Sequence, residues 1–253
     1  MHIRIAALAT MIAGMLSAAP SSAAELKVLT TGAMRSVVLA LVPQFESQGH
    51  KVTVENDTAG ALVKRVEAGD AFDVAIITPG AIDALIEKGK IATGTRANLA
   101  RVGIGVVVKE GAPKPDIGNV EAFKQALLNA KTVAYIDPAS GGSSGIYIDG
   151  LLGKLGIADA IKPKAKLKRG GLVAEFVASG EAEVAVGQIS ELMTVKGVAV
   201  VGPLPADIQN YTTYAVGLGA AAKDVNAAKA FIEVLRGPAA AAVLREKGME
   251  RPS

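Results

Sequence analysis

Along the chain, short runs of β-branched and aliphatic residues alternate with stretches whose apolar positions recur every three or four residues. Residues 26–30, 51–55, 73–77, 101–109, 132–136, 182–186 and 211–218 read as strands. Helices are predicted over 33–48, 61–68, 79–88, 120–129, 145–155, 172–179, 226–235 and 238–247, with a short one opening at Ser190-Glu191-Leu192. Gly69, Gly89 and Gly248 stand where helices stop, and Gly237-Pro238 separates the last two. No element is assigned between 156 and 171 or between 193 and 210.

Repeated strand–helix units predict an α/β fold with parallel sheets covered by helices on both sides. Two such sets occur, and the long strands at 101–109 and 211–218 are where the chain crosses between them. The expected architecture is two doubly wound lobes joined by a two-strand hinge: lobe I from 25–105 plus 210–253, and lobe II from 106–209. Residues 1–24 read as an export signal. Arg4 gives the positive start, 5–16 is apolar or small, and Ser22-Ala23-Ala24 precedes Glu25 as a cleavage site. That apolar core is shorter than the ~20 residues of a membrane span. With no Cys at the cut for a lipid anchor, the mature chain is expected free in a periplasm.

Composition then removes several chemistries. The 253 residues contain no Cys and no Trp, and the only His are His2 and His50, the first inside the export segment. Disulfide scaffolds, thiol nucleophiles and metal centres needing two imidazoles are excluded from the mature chain. No metal or cofactor is expected. The formal charge of +3 becomes +2 once Arg4 leaves with residues 1–24. Basic residues are scattered and aromatics few, so nucleic acid is not an expected partner.

Ligands of open parallel sheets bind beyond the carboxyl ends of the strands, where helices begin. Those junctions are Thr30-Thr31-Gly32-Ala33, Asp57-Thr58-Ala59-Gly60, Thr78-Pro79-Gly80, 137–145 (DPASGGSSG), Arg169-Gly170-Gly171 and Gly187-Gln188-Ile189-Ser190. Hydroxyls, glycines and free first-turn N–H groups at helix starts suit an anion; ordinary N-capping explains any single one. Gly141-Gly142-Ser143-Ser144-Gly145 also matches the G-x-S-x-G nucleophile elbow. A hydrolase needs a base beside Ser143, however, and His50 lies upstream on a charged turn, whereas that architecture places its His after the Ser. Arg35, in the first turn of the helix after Thr31-Gly32, is the charge expected to hold a carboxylate, with Lys168 and Arg169 as weaker counterparts on the facing lobe. No dinucleotide or P-loop fingerprint occurs.

Four stretches carry a family resemblance: LVKRVEAGDAFDVAII (62–77), DPASGGSSGIYIDGLLGKLGI (137–157), VASGEAEVAVGQIS (177–190) and FIEVLRGPAAAAVLREKGM (231–249). Through them the chain resembles periplasmic substrate-binding proteins of ABC transporters, in the molybdate-binding branch. The resemblance implies the type 2 periplasmic-binding-protein fold, closure of two lobes on a ligand held by helix starts, and an inner-membrane permease as partner. The family's two oxyanion-binding Ser align with Ala33 and Ala59, and its binding Tyr with Gln188. Lost hydroxyls weaken the case for molybdate or tungstate; with Arg35 they favour a small organic carboxylate. The expected contacts are Thr31, Gly32, Ala33, Arg35, Thr58 and Ala59 on the first lobe, and Ser143, Ser144, Gly170, Gly171 and Gln188 on the second. A monomeric, non-enzymatic receptor is expected.

Overall fold

A computed structural model describes residues 23–252; the expected export signal, apart from Ala23 and Ala24, lies outside the described residues. Nine strands and ten α-helices are described. The first lobe opens with β1 (Glu25–Thr31), α1 (Gly32–Glu46), β2 (Lys51–Asp57), α2 (Ala59–Glu67), β3 (Val74–Ile77) and α3 (Pro79–Glu87). β4 (Ala97–Lys109) leads into α4 (Val120–Asn129), β5 (Val133–Ile136), α5 (Ser143–Lys154), α6 (Ala158–Ile161), β6 (Ala165–Lys168), α7 (Glu175–Ala178), β7 (Val184–Gln188), α8 (Ile189–Leu192) and β8 (Val198–Pro203). β9 (Tyr211–Leu218), α9 (Val225–Arg236) and α10 (Pro238–Glu246) return to the first lobe.

β1 runs parallel to β2 and β3, while β9 lies antiparallel between β3 and β4. In the second lobe β5 runs parallel to β6 and β7, and β4 pairs antiparallel with both β7 and β8. β3 (VAII) and β5 (VAYI) are buried at every position. A strand covered on both faces needs an unbroken apolar run, which is what these two supply. Each sheet is packed on both sides. Val28, Val74 and Val216 meet α1 and α9 on one face of the first, while Ala75 and Ile77 meet α2 and α3 on the other. Val106, Tyr135 and Val186 meet α4 and α5 on one face of the second, and Val107, Ala134 and Ala185 meet Val177 and Leu192 on the other.

The two sheets share β4. It pairs with β9 through Gly103 and with β7 from Ile104 onward. At that changeover the Gln209 side chain stands in for a neighbouring strand. Its Oε1 accepts from the Ile104 N–H (2.8 Å) and its Nε2 donates to the Ile104 carbonyl (3.0 Å). A strand that switches partners leaves backbone groups to be satisfied otherwise, and the amide does so. β9 itself lies wholly in the first sheet, and the return crossing is the segment 204–210 that delivers Gln209.

Several expectations are corrected. The helix expected over 172–179 is α only at Glu175–Ala178, because its first turn closes through Leu172 and Val173 carbonyls with the tighter i→i+3 spacing. α6, β6 and β8 had no predicted counterpart. β6 (AKLK) is a sheet-edge strand paired only with β5, and its four residues after Lys162-Pro163-Lys164 are too few to stand out from the surrounding lysines. β4 starts four residues earlier than its apolar run, since pairing with β9 recruits Ala97–Ala100.

Candidate functional site

The carboxyl ends of β1, β2, β5 and β7 face one cleft between the lobes. Its walls are Thr31, Gly32, Ala33, Asn56, Asp57, Thr58 and Ala59 from the first lobe, with Tyr214 on β9. Ile136, Gly142, Ser143, Ser144, Gly170, Gly171, Gln188 and Glu191 close it from the second. The starts of α1, α2 and α5 converge here. Thr31 and Gly142, which precede α1 and α5, make no side-chain cap, so first-turn N–H groups of both helices are left for a guest. Thr58 does cap α2, accepting from the Ala61 N–H at 3.2 Å.

The cleft is shut. The Thr58 hydroxyl donates to the Ser140 carbonyl (2.5 Å), the Gly60 N–H to the Gly141 carbonyl (3.2 Å), and the buried Ser190 hydroxyl to the Ala33 carbonyl (3.0 Å). The space left between the lobes is about 30 Å³. That is roughly the space of two water-sized probes, so this closure suits a compact group. A larger groove of about 830 Å³ is walled by residues 108–184 alone, so lobe closure does not act on it.

Inside, the polar groups form one chain. Gln188 Nε2 donates to Ser143 Oγ (3.1 Å) and to Thr212 Oγ1 (3.0 Å), and Ser143 Oγ lies 3.5 Å from the Tyr214 hydroxyl. Gln188 Oε1 and Thr31 Oγ1 are buried without a partner, at residues 1% and 4% exposed. Ser36 Oγ, away from the cleft wall, is orphaned as well, and Thr31 Oγ1 stands beside the Tyr214 phenol, so Gln188 Oε1 is the acceptor left open toward the cavity. Burial and the Glu191 charge push the Tyr214 phenol far up, against the adjacent Ser143 and Thr31 hydroxyls. The Glu191 carboxylate packs onto Gly32, where a β-carbon would overlap its Oε1. Burial pushes Glu191 up to about 7.

Ten of the eleven expected contacts line this cleft; the exception is Arg35. Its side chain is exposed on α1 and forms no part of the wall. Ala33, Met34, Val37 and Val38 occupy the buried face of that helix, which turns Arg35 outward. Lys168 pairs with Glu175 at 2.8 Å, and Arg169, 89% exposed, reaches Asp137 at 3.4 Å. Neither is a wall residue, nor is the Thr78-Pro79-Gly80 junction. Among the described residues no Lys or Arg lines the cleft. Asn56 and Ile136 were missed although each adjoins a chosen strand end, and Asp57 and Gly142 were noted only within their junctions. Glu191 and Tyr214 do not stand at the end of a parallel strand: one sits on a four-residue helix, the other inside an antiparallel strand.

Ser143 has no imidazole beside it. His50 lies before β2, stacked on Phe45 at 4.4 Å, with Nδ1 accepting from the Ala24 N–H. Among the described residues no group of three His, Cys, Asp or Glu could hold a metal ion, and no helix is long and apolar enough to cross a membrane.

The chain is 31% identical over 247 residues to an aconitate isomerase of a Pseudomonas species, covering 93% of each. It is 29% identical over 252 residues to the molybdate-binding protein ModA of Azotobacter vinelandii, again covering 93% of each. The solved Azotobacter vinelandii periplasmic molybdate-binding protein superposes with a TM-score of 0.77 at 19% identity, over 90% of this chain and 100% of that one. The model of the bacterial extracellular solute-binding proteins matches residues 26–250, and this chain belongs to that family.

Proposed function

We propose that this protein is a periplasmic receptor that closes over a small organic carboxylate and presents it to an inner-membrane ABC permease. The observation that carries this reading is a shut cleft where three helix starts converge with no cationic side chain on the walls. Backbone amides and the helix dipole then bear the negative charge, and closure excludes water and strengthens each hydrogen bond. The unpaired Gln188 Oε1 acceptor, with the acidic Asp57 and Glu191 on the walls, favours an organic acid that also carries a donor such as a hydroxyl over an oxometallate, which only accepts. Such walls suit a guest that donates as well as accepts. The kinship with an aconitate isomerase points toward organic acids, and that with ModA toward molybdate as the competing ligand.

Isothermal titration of the chain lacking residues 1–24 against cis-aconitate, trans-aconitate, smaller mono- and dicarboxylates, molybdate and tungstate tests the reading. Micromolar binding of a carboxylate with compaction in small-angle scattering is expected. Micromolar binding of the oxometallates alone would assign the molybdate role instead.

A second reading is an isomerase that shifts a proton within an unsaturated carboxylate. Glu191, titrating near neutrality beside the cavity, is a suitable base and acid for such a step. Incubation of each aconitate isomer in D₂O, followed by proton NMR, separates the two: a receptor leaves the carbon-bound protons and the isomer ratio unchanged.

A further inference from the structure

We propose that Glu191 is a proton-carrying specificity residue: it meets the guest as a neutral acid, so the protein takes up one proton with each anion it closes on. The inference rests on the anion-receptor reading above and deepens it. Its basis is placement. Glu191 stands on the cavity wall at the start of α8, with its carboxyl packed onto Gly32 at the start of α1, the same helix start that faces the guest.

The elements around Glu191 bring no counter-charge to it. α1 carries Arg35, which is exposed, and Glu46 at its far end. β4 carries Arg101, paired with Glu250 at 2.7 Å, and Lys109 at its distal end. β7 and β8 carry no titratable side chain. β9 brings Tyr214 beside the cavity and Tyr211 under Arg101, and Asp57 faces the cavity from β2. An anion entering this space meets a carboxylate and no cation. Two like charges in a shut, water-poor cleft repel strongly, and a proton from solvent removes one of them. The neutral acid then gives the guest a hydrogen bond. Burial that already holds Glu191 near neutrality makes that proton available at physiological pH. The buried Gln188 Oε1 acceptor, also unpaired, marks the same cavity as built for a guest of mixed donor and acceptor character.

The test uses the chain lacking residues 1–24 with trans-aconitate, cis-aconitate and molybdate as probes. Calorimetry at pH 8.5 in buffers of different ionisation enthalpy counts protons. About one proton taken up per probe bound is expected, with affinity about twentyfold weaker at pH 9 than at pH 7.5, a range in which the probes themselves stay fully ionised. In Glu191→Gln the proton uptake and the pH dependence both vanish. Carbon-13 NMR of the Glu191 carboxyl in the ligand-free protein gives a reading that needs neither variant nor ligand. Binding without proton uptake overturns the inference and leaves the receptor standing, as does a Glu191 that titrates in the ordinary carboxylate range. If Glu191 titrates near neutrality but no probe binds, the anion reading falls and takes the inference with it.

Discussion

Gly60, in the first turn of α2, donates its N–H to the carbonyl of Gly141, and a β-carbon on Gly60 would stand 2.9 Å from the Gly141 α-carbon. The two backbones touch across the cleft because neither residue has a side chain. Gly141 also holds φ at 75°, a left-handed conformation that favours glycine. Gly60→Ala places a methyl group in the closing surface while improving helix propensity by about 1 kcal/mol. The ligand-free melting temperature should hold, whereas affinity for the bound anion drops at least tenfold and scattering no longer reports compaction. Unchanged affinity would mean that ligand binding does not require this contact.

Ser143 accepts from Gln188, which leaves its own proton for the Tyr214 hydroxyl at 3.5 Å or, in the proposed receptor, for the guest. Removing a hydrogen bond to a charged ligand costs ~1.5–3 kcal/mol, so Ser143→Ala should weaken binding about ten- to a hundredfold by calorimetry. A fluorophosphonate probe should leave Ser143 unlabelled, since no base activates it.

Arg35→Ala should change affinity less than about threefold, because the guanidinium is outside the cleft wall. A tenfold loss in the same titration would restore Arg35 to the site.

Glu191 makes stability depend on pH. Its pKa is raised from 4.5 to about 7 in the folded state, so the folded state binds the extra proton. The favourable contribution is fully present below the unfolded value and is lost as pH rises through about 7. Between roughly pH 4 and 7.5 the ligand-free protein should lose on the order of 3 kcal/mol relative to Glu191→Gln in urea unfolding. Parallel pH curves for the two proteins would place Glu191 in an ordinary solvated setting.

Gln209→Ala leaves the Ile104 N–H without its partner at the changeover of β4, while the Ile104 carbonyl keeps the Leu204 N–H at 3.1 Å. Unfolding should cost about 1–3 kcal/mol less, the penalty of an unsatisfied buried group. A shift below 0.5 kcal/mol would show that water replaces the amide.

Much of the fold was legible because strands and helices write their periods locally. The limits of β9 and α4 were read to the residue, and the apolar runs of β3 and β5 stood out, each expected to start one residue early, at Asp73 and Thr132. The cleft was legible for the same reason: a residue at the end of a parallel strand and the start of a helix is identifiable from its neighbours, so Thr31, Thr58, Ser143 and Gln188 could be chosen together.

The direction of Arg35, the desolvation of the half-buried Glu191 and the arrival of Tyr214 were decided only in three dimensions. A side chain's outward turn depends on which helix face the core takes, and a carboxyl's proton affinity depends on the solvent its neighbours exclude. Tyr214 enters the cavity because β9 is inserted antiparallel between β3 and β4, a pairing between segments far apart in the chain. Local pattern thus determined where helices begin and amides are left free. Packing decided which charges accompany them, because burial and distance exist only once the lobes have closed.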